Sequence, residues 1–286
     1  MSYRPFYMLI LLISCFELNY SQQLIIRNEL ANFDKAASLS VNPAGFIFIS
    51  DLGTNEIIKT DTTGQELLRI GGYGWDNLSF DEPNSLFANT LNVYVADKNN
   101  NRIQIFDKDL NYLTSFSTQN ATEEISKFMY PSCVEASPTG EIFILDSYNS
   151  RIVKYSSNGK FILVVGGFDA GTFALNNPSH FALDDNLNIG VIDGNRLLIF
   201  DQFGNGIKII KLPFVPAGIS KAKSGFLINS KDEILISGSG FVQELFFSKE
   251  SFIPMINDRI VDAALYNNSI FILTEAKLFT FSILRN

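Results

Sequence analysis

Apolar runs of four or five residues recur along this chain, each followed by a short polar turn and a second apolar run. The plainest copies read GFIFISDLGTNEIIKTD, NVYVADKNNNRIQIFD, EIFILDSYNSRIVKYS and NIGVIDGNRLLIFD, over residues 45–61, 92–107, 141–156 and 188–201. The first run of each copy closes on an aspartate: Asp51, Asp97, Asp146 and Asp193, about 47 residues apart. The runs are apolar at successive positions, as in Ile142-Phe143-Ile144-Leu145. A strand with one wet face would alternate, so each of these strands belongs to a sheet covered on both sides.

The stretches between the runs carry turn chemistry. In the third copy, 138–140 (Pro-Thr-Gly) and 157–159 (Ser-Asn-Gly) are tight-turn sequences, and they divide the unit into four strands at 132–136, 141–145, 151–155 and 161–165. Two degenerate copies follow. Residues 225–247 keep the strand spacing without the aspartate signature, and 269–283 carry Thr274 at the aspartate position. Six units of four strands predict an all-β fold, a six-bladed β-propeller of antiparallel blades packed face to face around an axis. A solenoid would leave both ends open and need capping units. The last unit lacks room for a fourth strand, while LIIRNEL at 24–30 belongs to no unit. That N-terminal strand is expected to complete the last blade and so remove an open sheet edge. Residues 22–286 read as one domain.

Around these residues the chain resembles the NHL-repeat family of six-bladed β-propellers. The pattern of proline, apolar strand, Gly, apolar strand ending in Asp, turn, Asn-Arg and apolar strand is carried by Pro83, Asp97, Asn101-Arg102 and Asp107 in unit two. Unit three carries it with Pro131, Gly140, Asp146 and Ser150-Arg151. Unit four has the shorter turn Asp193-Gly194-Asn195-Arg196, and unit one has Asn55-Glu56 in place of Asn-Arg. The resemblance implies the propeller fold and leaves activity open. The repeated residues read as structural: the Asp accepts backbone N–H bonds from the turn that follows, and the Arg five residues on pairs with it or with the next blade. Phe80, Phe128 and Leu175, each three residues before a proline, read as plugs beneath the loops between blades.

Composition narrows the function. The chain is 46% hydrophobic and only 18% charged, with 26 Phe and one Trp, which suits a large sheet core. A net charge of −8 repels phosphate backbones, so nucleic acid is not an expected partner. Arg4 followed by an uncharged apolar stretch to Phe16 reads as an export signal over 1–21, too short to span a bilayer. Residues 12–15 read alternatively as a lipobox with Cys15 as a lipid anchor. The protein is expected to be exported, to the periplasm, the extracellular space or a lipid-anchored position, and to be monomeric without a transmembrane helix. Cys133 is then the one cysteine of the folded domain, a small buried side chain.

Two candidate sites follow from the alignment. The innermost strands place Ser38, Ser85, Cys133, His180, Gly218 and Val261 around the central channel. In related propeller enzymes that channel holds a metal. A Ca²⁺ site needs several oxygen ligands and a Zn²⁺ site needs several His or Cys, whereas His180 is the only histidine. The expectation is no catalytic residue, no metal and no cofactor. A metal-dependent lactonase- or lyase-like enzyme is the alternative. The second site is the face carrying the long loops between units. Tyr73, Trp75, Phe168 and Phe173 with Asn99, Asn100, Tyr148 and Asn149 form a surface suited to a protein, peptide or glycan partner.

Overall fold

The computed structural model describes residues 23–31, 33–251 and 256–284. They form six four-stranded antiparallel sheets. In five of them the strands follow chain order from the axis outward. In blade three these are Pro131–Ala136, Ile142–Asp146, Arg151–Tyr155 and Phe161–Val165, within one residue of the expected boundaries. The sixth blade is built from both ends of the domain. Ile260–Tyr266, Ser269–Thr274 and Lys277–Leu284 come from the C-terminal end, and Gln23–Ala31 is the outermost strand, running from Gln23 opposite Leu284 to Ala31 opposite Lys277. The ring is closed by the N-terminal strand. The expected export signal at 1–21 and the Cys15 anchor lie outside the described residues.

The double-sided apolar runs have a direct packing reason. Successive side chains of a strand point to opposite faces of its sheet. In blade one Phe48 and Ile57 face blade two, where they meet Phe80, Val93 and Phe106. Their neighbours Ile47, Ile49 and Ile58 face blade six, where they meet Phe271 and Leu273. Six such apolar clusters occur, one at each blade interface. A fully buried Phe or Ile contributes about 1.5–3 kcal/mol, so each interface draws on both of its blades and none stands alone.

The hairpin turns on one side of the disc share a local device. Asp61, Asp107, Asp184 and Asp201 each accept N–H bonds from residues two and four positions on. Gly64, Leu110, Leu187 and Gly204 turn the chain there with positive φ. These turns are short and self-satisfied. The opposite face carries the longer connections between blades. Among the described residues, helical structure is limited to four single turns, and no helix is long and apolar enough to cross a membrane.

Candidate functional site

The repeat signature builds the loop face. Asp97 is fully buried at the end of its strand and accepts the N–H of Asp81, in the loop that leads into its own blade. Asp51 does the same for Asp34 and Lys35, Asp146 for Met129, and Asp193 for Asn176 and Asn177. The aspartates thus anchor chiefly the preceding loop rather than the following turn, although the N–H groups of Gly53 and Asn149 also donate to Asp51 and Asp146. Each Arg pairs with the Asp of its own blade, not with the next: Arg102 with Asp97 at 2.7 Å, Arg151 with Asp146 at 3.0 Å, and Arg196 with Asp193. The free arm of the guanidinium then holds the loop. Arg102 donates to the carbonyls of Asp76 and Ser79, and Arg151 to those of Glu124 and Lys127. The signature Asn reaches forward instead. Asn55 and Asn101 sit at positive φ, which Asn tolerates, and accept the N–H of Glu82 and Tyr130 in the next blade's loop.

Plug residues complete the anchoring. Phe80, Phe128 and Leu175 are buried beneath their loops. Asn100 donates to the carbonyl of Gly74, and Tyr155 to that of Ser126. Residues 72–82 and 117–130 are therefore fixed at many points of their backbones, and their outward side chains are displayed on a rigid base.

Trp75 is 70% exposed, Tyr73 65%, Tyr148 67% and Phe168 completely. Tyr73 and Trp75 meet edge to face with ring centroids 5.8 Å apart. Tyr130 lies 6.4 Å from Tyr148; it was not singled out in the sequence, although its long loop was. Met129 and Ile125 of the same loop are also exposed. Contiguous exposed apolar groups of this kind mark interaction surfaces. Asn99 bonds to Asp81 at the edge of the patch. Three expected members are not part of it. Phe173 turns inward, where its ring packs 5.6 Å from Phe200. Asn100 and Asn149 donate to Asp97 and Asp146, because a turn side chain three residues from a buried carboxylate satisfies it first.

The channel ring needs one correction. Every innermost strand slips by one residue after its first pair, which places Ser38, Ser85, Cys133, His180 and Gly218 at one level. In blade six the same slip falls between Ile260 and Asp262, so Asp262 and not Val261 stands at that level. Blade six has no proline at this point to mark the register. The ring side chains reach mostly to the neighbouring strand. Asp262 accepts the N–H of Leu39, Ser38 that of Leu86, Ser85 donates to Cys133, and Cys133 to the carbonyl of Phe181. Gly218 leaves room for its neighbours: a Cβ there would stand 2.6 Å from Asn229 Oδ1 and 3.0 Å from Asp262 Oδ1 and would displace the Asn229 amide. Burial pushes the Cys133 thiol up to about 12 and Asp262 up to about 7. It pushes His180 down to about 4 and leaves its Nδ1 without a partner. Glu135, on the same strand as Cys133, is also raised by burial. Among the described residues no group of three His, Cys, Asp or Glu is placed to hold a metal ion.

Comparison with known proteins bears on both sites. The family model described as NHL repeat matches residues 80–106 and 128–155. The chain is 31% identical over 142 residues to Protein brain tumor of Drosophila melanogaster, covering 48% of this chain and 13% of that protein. It is 33% identical over 121 residues to NHL repeat-containing protein 3 of Homo sapiens, covering 41% of this chain and 33% of that one. The alignments therefore span a third or less of these curated relatives. Among solved structures it superposes on a streptogramin B lyase with a TM-score of 0.62 at 10% identity, over 92% of this chain and 98% of that one. A putative gluconolactonase matches with a TM-score of 0.64 at 11% identity, over 92% of each. At such identities the likeness is one of fold.

Proposed function

The chain is an NHL-repeat six-bladed β-propeller, and on that premise we propose that it is a non-catalytic interaction platform. Its loop face holds a protein, peptide or glycan partner. One observation carries this reading: Tyr73, Trp75, Tyr148 and Phe168 are presented to solvent on loops whose backbones the repeat signature has already fixed. Rigid display lowers the ordering cost of association, and exposed aromatic anchors are the residues that dominate binding energy. Lyase- or lactonase-like chemistry at the channel is supported less well. It draws on a likeness of fold, and four of the six residues at that level are engaged in bonds between blades. The apolar stretch near the N-terminus supports export of this platform, and mass spectrometry of the mature N-terminus tests that.

The experiment for the platform is capture from a native extract by immobilised wild type and by a Trp75→Ala, Phe168→Ala double variant. Selective loss of a partner by the double variant, at unchanged melting temperature, supports the reading. Identical capture by both proteins removes this face from it.

A further inference from the structure

Resting on the platform reading, we propose that the face between blades one and four docks a cationic peptide segment of a partner protein. Arginine or lysine side chains would lie over its exposed rings and pair with the carboxylates beside them.

The rings form two pairs on neighbouring loops that are tied together through blade two. Tyr73 and Trp75 touch. Gly74 between them accepts the Asn100 amide. The next residue, Asn101, holds the backbone of Tyr130, and the Tyr130 ring reaches Tyr148. One pair stands on the loop before blade two and the other at the loop and turn of blade three, and the faces of all four rings bear negative potential.

The charges beside the rings are mostly negative. The segments 72–82, 98–101, 117–130, 147–150 and 166–177 contain six carboxylates and two lysines. Lys98 pairs with Glu82 and Lys127 with Glu124. That leaves Asp76, Asp81, Glu123 and Asp169 without a cationic partner among the described residues. Asp76, Glu123 and Asp169 are exposed, and Asp76 directly follows Trp75, as Asp169 follows Phe168. An anionic ligand such as a nucleic-acid backbone is repelled here. A cation gains twice, from the ring face and from the carboxylate.

The molecule already uses this pairing internally. Lys59 Nζ lies 4.4 Å from the Phe46 ring centroid and 2.8 Å from Asp109. Lys154 Nζ lies 5.0 Å from Phe143 and 3.0 Å from Glu141. On the loop face Trp75 with Asp76 and Phe168 with Asp169 offer the ring and the carboxylate, and neither carboxylate has a cationic partner among the described residues.

The single tryptophan makes the test direct, because all indole emission comes from Trp75. The full chain is titrated with a blocked nonapeptide alternating Arg and Ser, and with the same peptide carrying citrulline in place of Arg. The expected result is a saturable change in Trp75 emission with the Arg peptide alone, weakened by salt. Binding should fall by about tenfold in an Asp76→Asn, Glu123→Gln, Asp169→Asn variant of unchanged melting temperature, since three exposed pairs of modest strength add to that order. With each ion scaled to its quenching of free N-acetyltryptophanamide, caesium should quench the unliganded emission more than iodide. Equal binding of the citrulline peptide, stronger quenching by iodide, or an unaffected triple variant would overturn the proposal. A Trp75→Ala variant, followed by anisotropy of a labelled Arg peptide, should lose binding; retained affinity also overturns it. Should capture of the native partner need Trp75 while the Arg peptide fails to compete, the cationic assignment falls and the platform reading stands.

Discussion

Blades two and three differ from blades five and six in how they hold the chain that leads into them. In blades two and three a buried carboxylate and a guanidinium fix the preceding loop at several backbone atoms. In blade five Ser230 occupies the aspartate's register position, opposite Pro216, and its hydroxyl accepts only the N–H groups of Asp232 and Glu233 in its own turn. In blade six Thr274 accepts the N–H of Lys277. The start of blade six is held by a main-chain bond, Ile260 N–H to Lys231 of blade five, and blade six holds the start of blade one in the same way, Ala36 N–H to Glu275. All of these blades share the same apolar interfaces. The Asp–Arg pair is therefore dispensable for making a blade. What it adds is the fixing of the loop that leads into the blade, and the loops fixed by both residues display Trp75 and Tyr130, with Tyr148 on the turn of blade three beside Tyr130.

The contrast can be broken in order of expected effect. Phe80 is fully buried under the loop before blade two, and Phe80→Ala should cost about 3–5 kcal/mol as a large cavity, read by urea unfolding. Asp97→Ala should come close to it, about 3–5 kcal/mol, because it strands Arg102, whose side chain is only 13% exposed. Ser230→Ala, at the matching position of blade five, should cost about 1 kcal/mol, the worth of a hydrogen bond. Equal losses from Asp97→Ala and Ser230→Ala would erase the distinction between the two classes of blade.

Arg102→Lys sharpens it further. Lysine keeps the charge but cannot hold Asp97, Asp76 and Ser79 together with one planar group. A loss of about 1–2 kcal/mol is expected on the scale of hydrogen bonds to charged groups, together with lower anisotropy of Trp75 emission. Anisotropy unchanged from wild type would show that the guanidinium does not fix this loop. At the small end, Trp75→Ala should leave stability within about 0.5 kcal/mol, as an exposed substitution does; a larger loss would place the ring in the core.

The channel yields a pH prediction of known sign. His180 is pushed from its ordinary 6.5 down to about 4 by burial, so it favours folding above 6.5 and that stability is lost as pH falls toward 4. Asp262 is pushed from 3.8 up to about 7, also by burial, so its stabilisation is present below 3.8 and is lost as pH rises through 7. Glu135, raised in the same direction, adds to the Asp262 slope. The histidine slope opposes the carboxyl slopes between about pH 4 and 6.5. His180→Gln removes it, so the variant should gain stability on acidification through that window relative to wild type. Parallel curves from urea titrations at each pH would show that His180 does not titrate with folding.

The sequence was most readable where one physical rule acted alone. Strand boundaries in blade three came within one residue because turns and apolar runs alternate cleanly there. The closing strand was readable because the last unit was one strand short. The failures came where a neighbour in space decided the outcome. Asp262 takes the level expected of Val261 because blade six carries neither the proline nor the strand-end aspartate that mark this register in blades two to four. Phe173 and Trp75 look alike in two aromatic loops, but Phe200 offers one of them a partner and nothing covers the other. Asn100 and Asn149 read as free amides until Asp97 and Asp146 are seen to be buried within their reach.

What the chain determined by itself is the number of blades, their strands and their closure, because period, turn chemistry and double-sided apolar runs are local properties that add up along it. Which side chains remain outside was decided only in three dimensions. A loop residue is exposed or buried according to what the next blade places against it, and that contact joins residues about 25 to 30 positions apart.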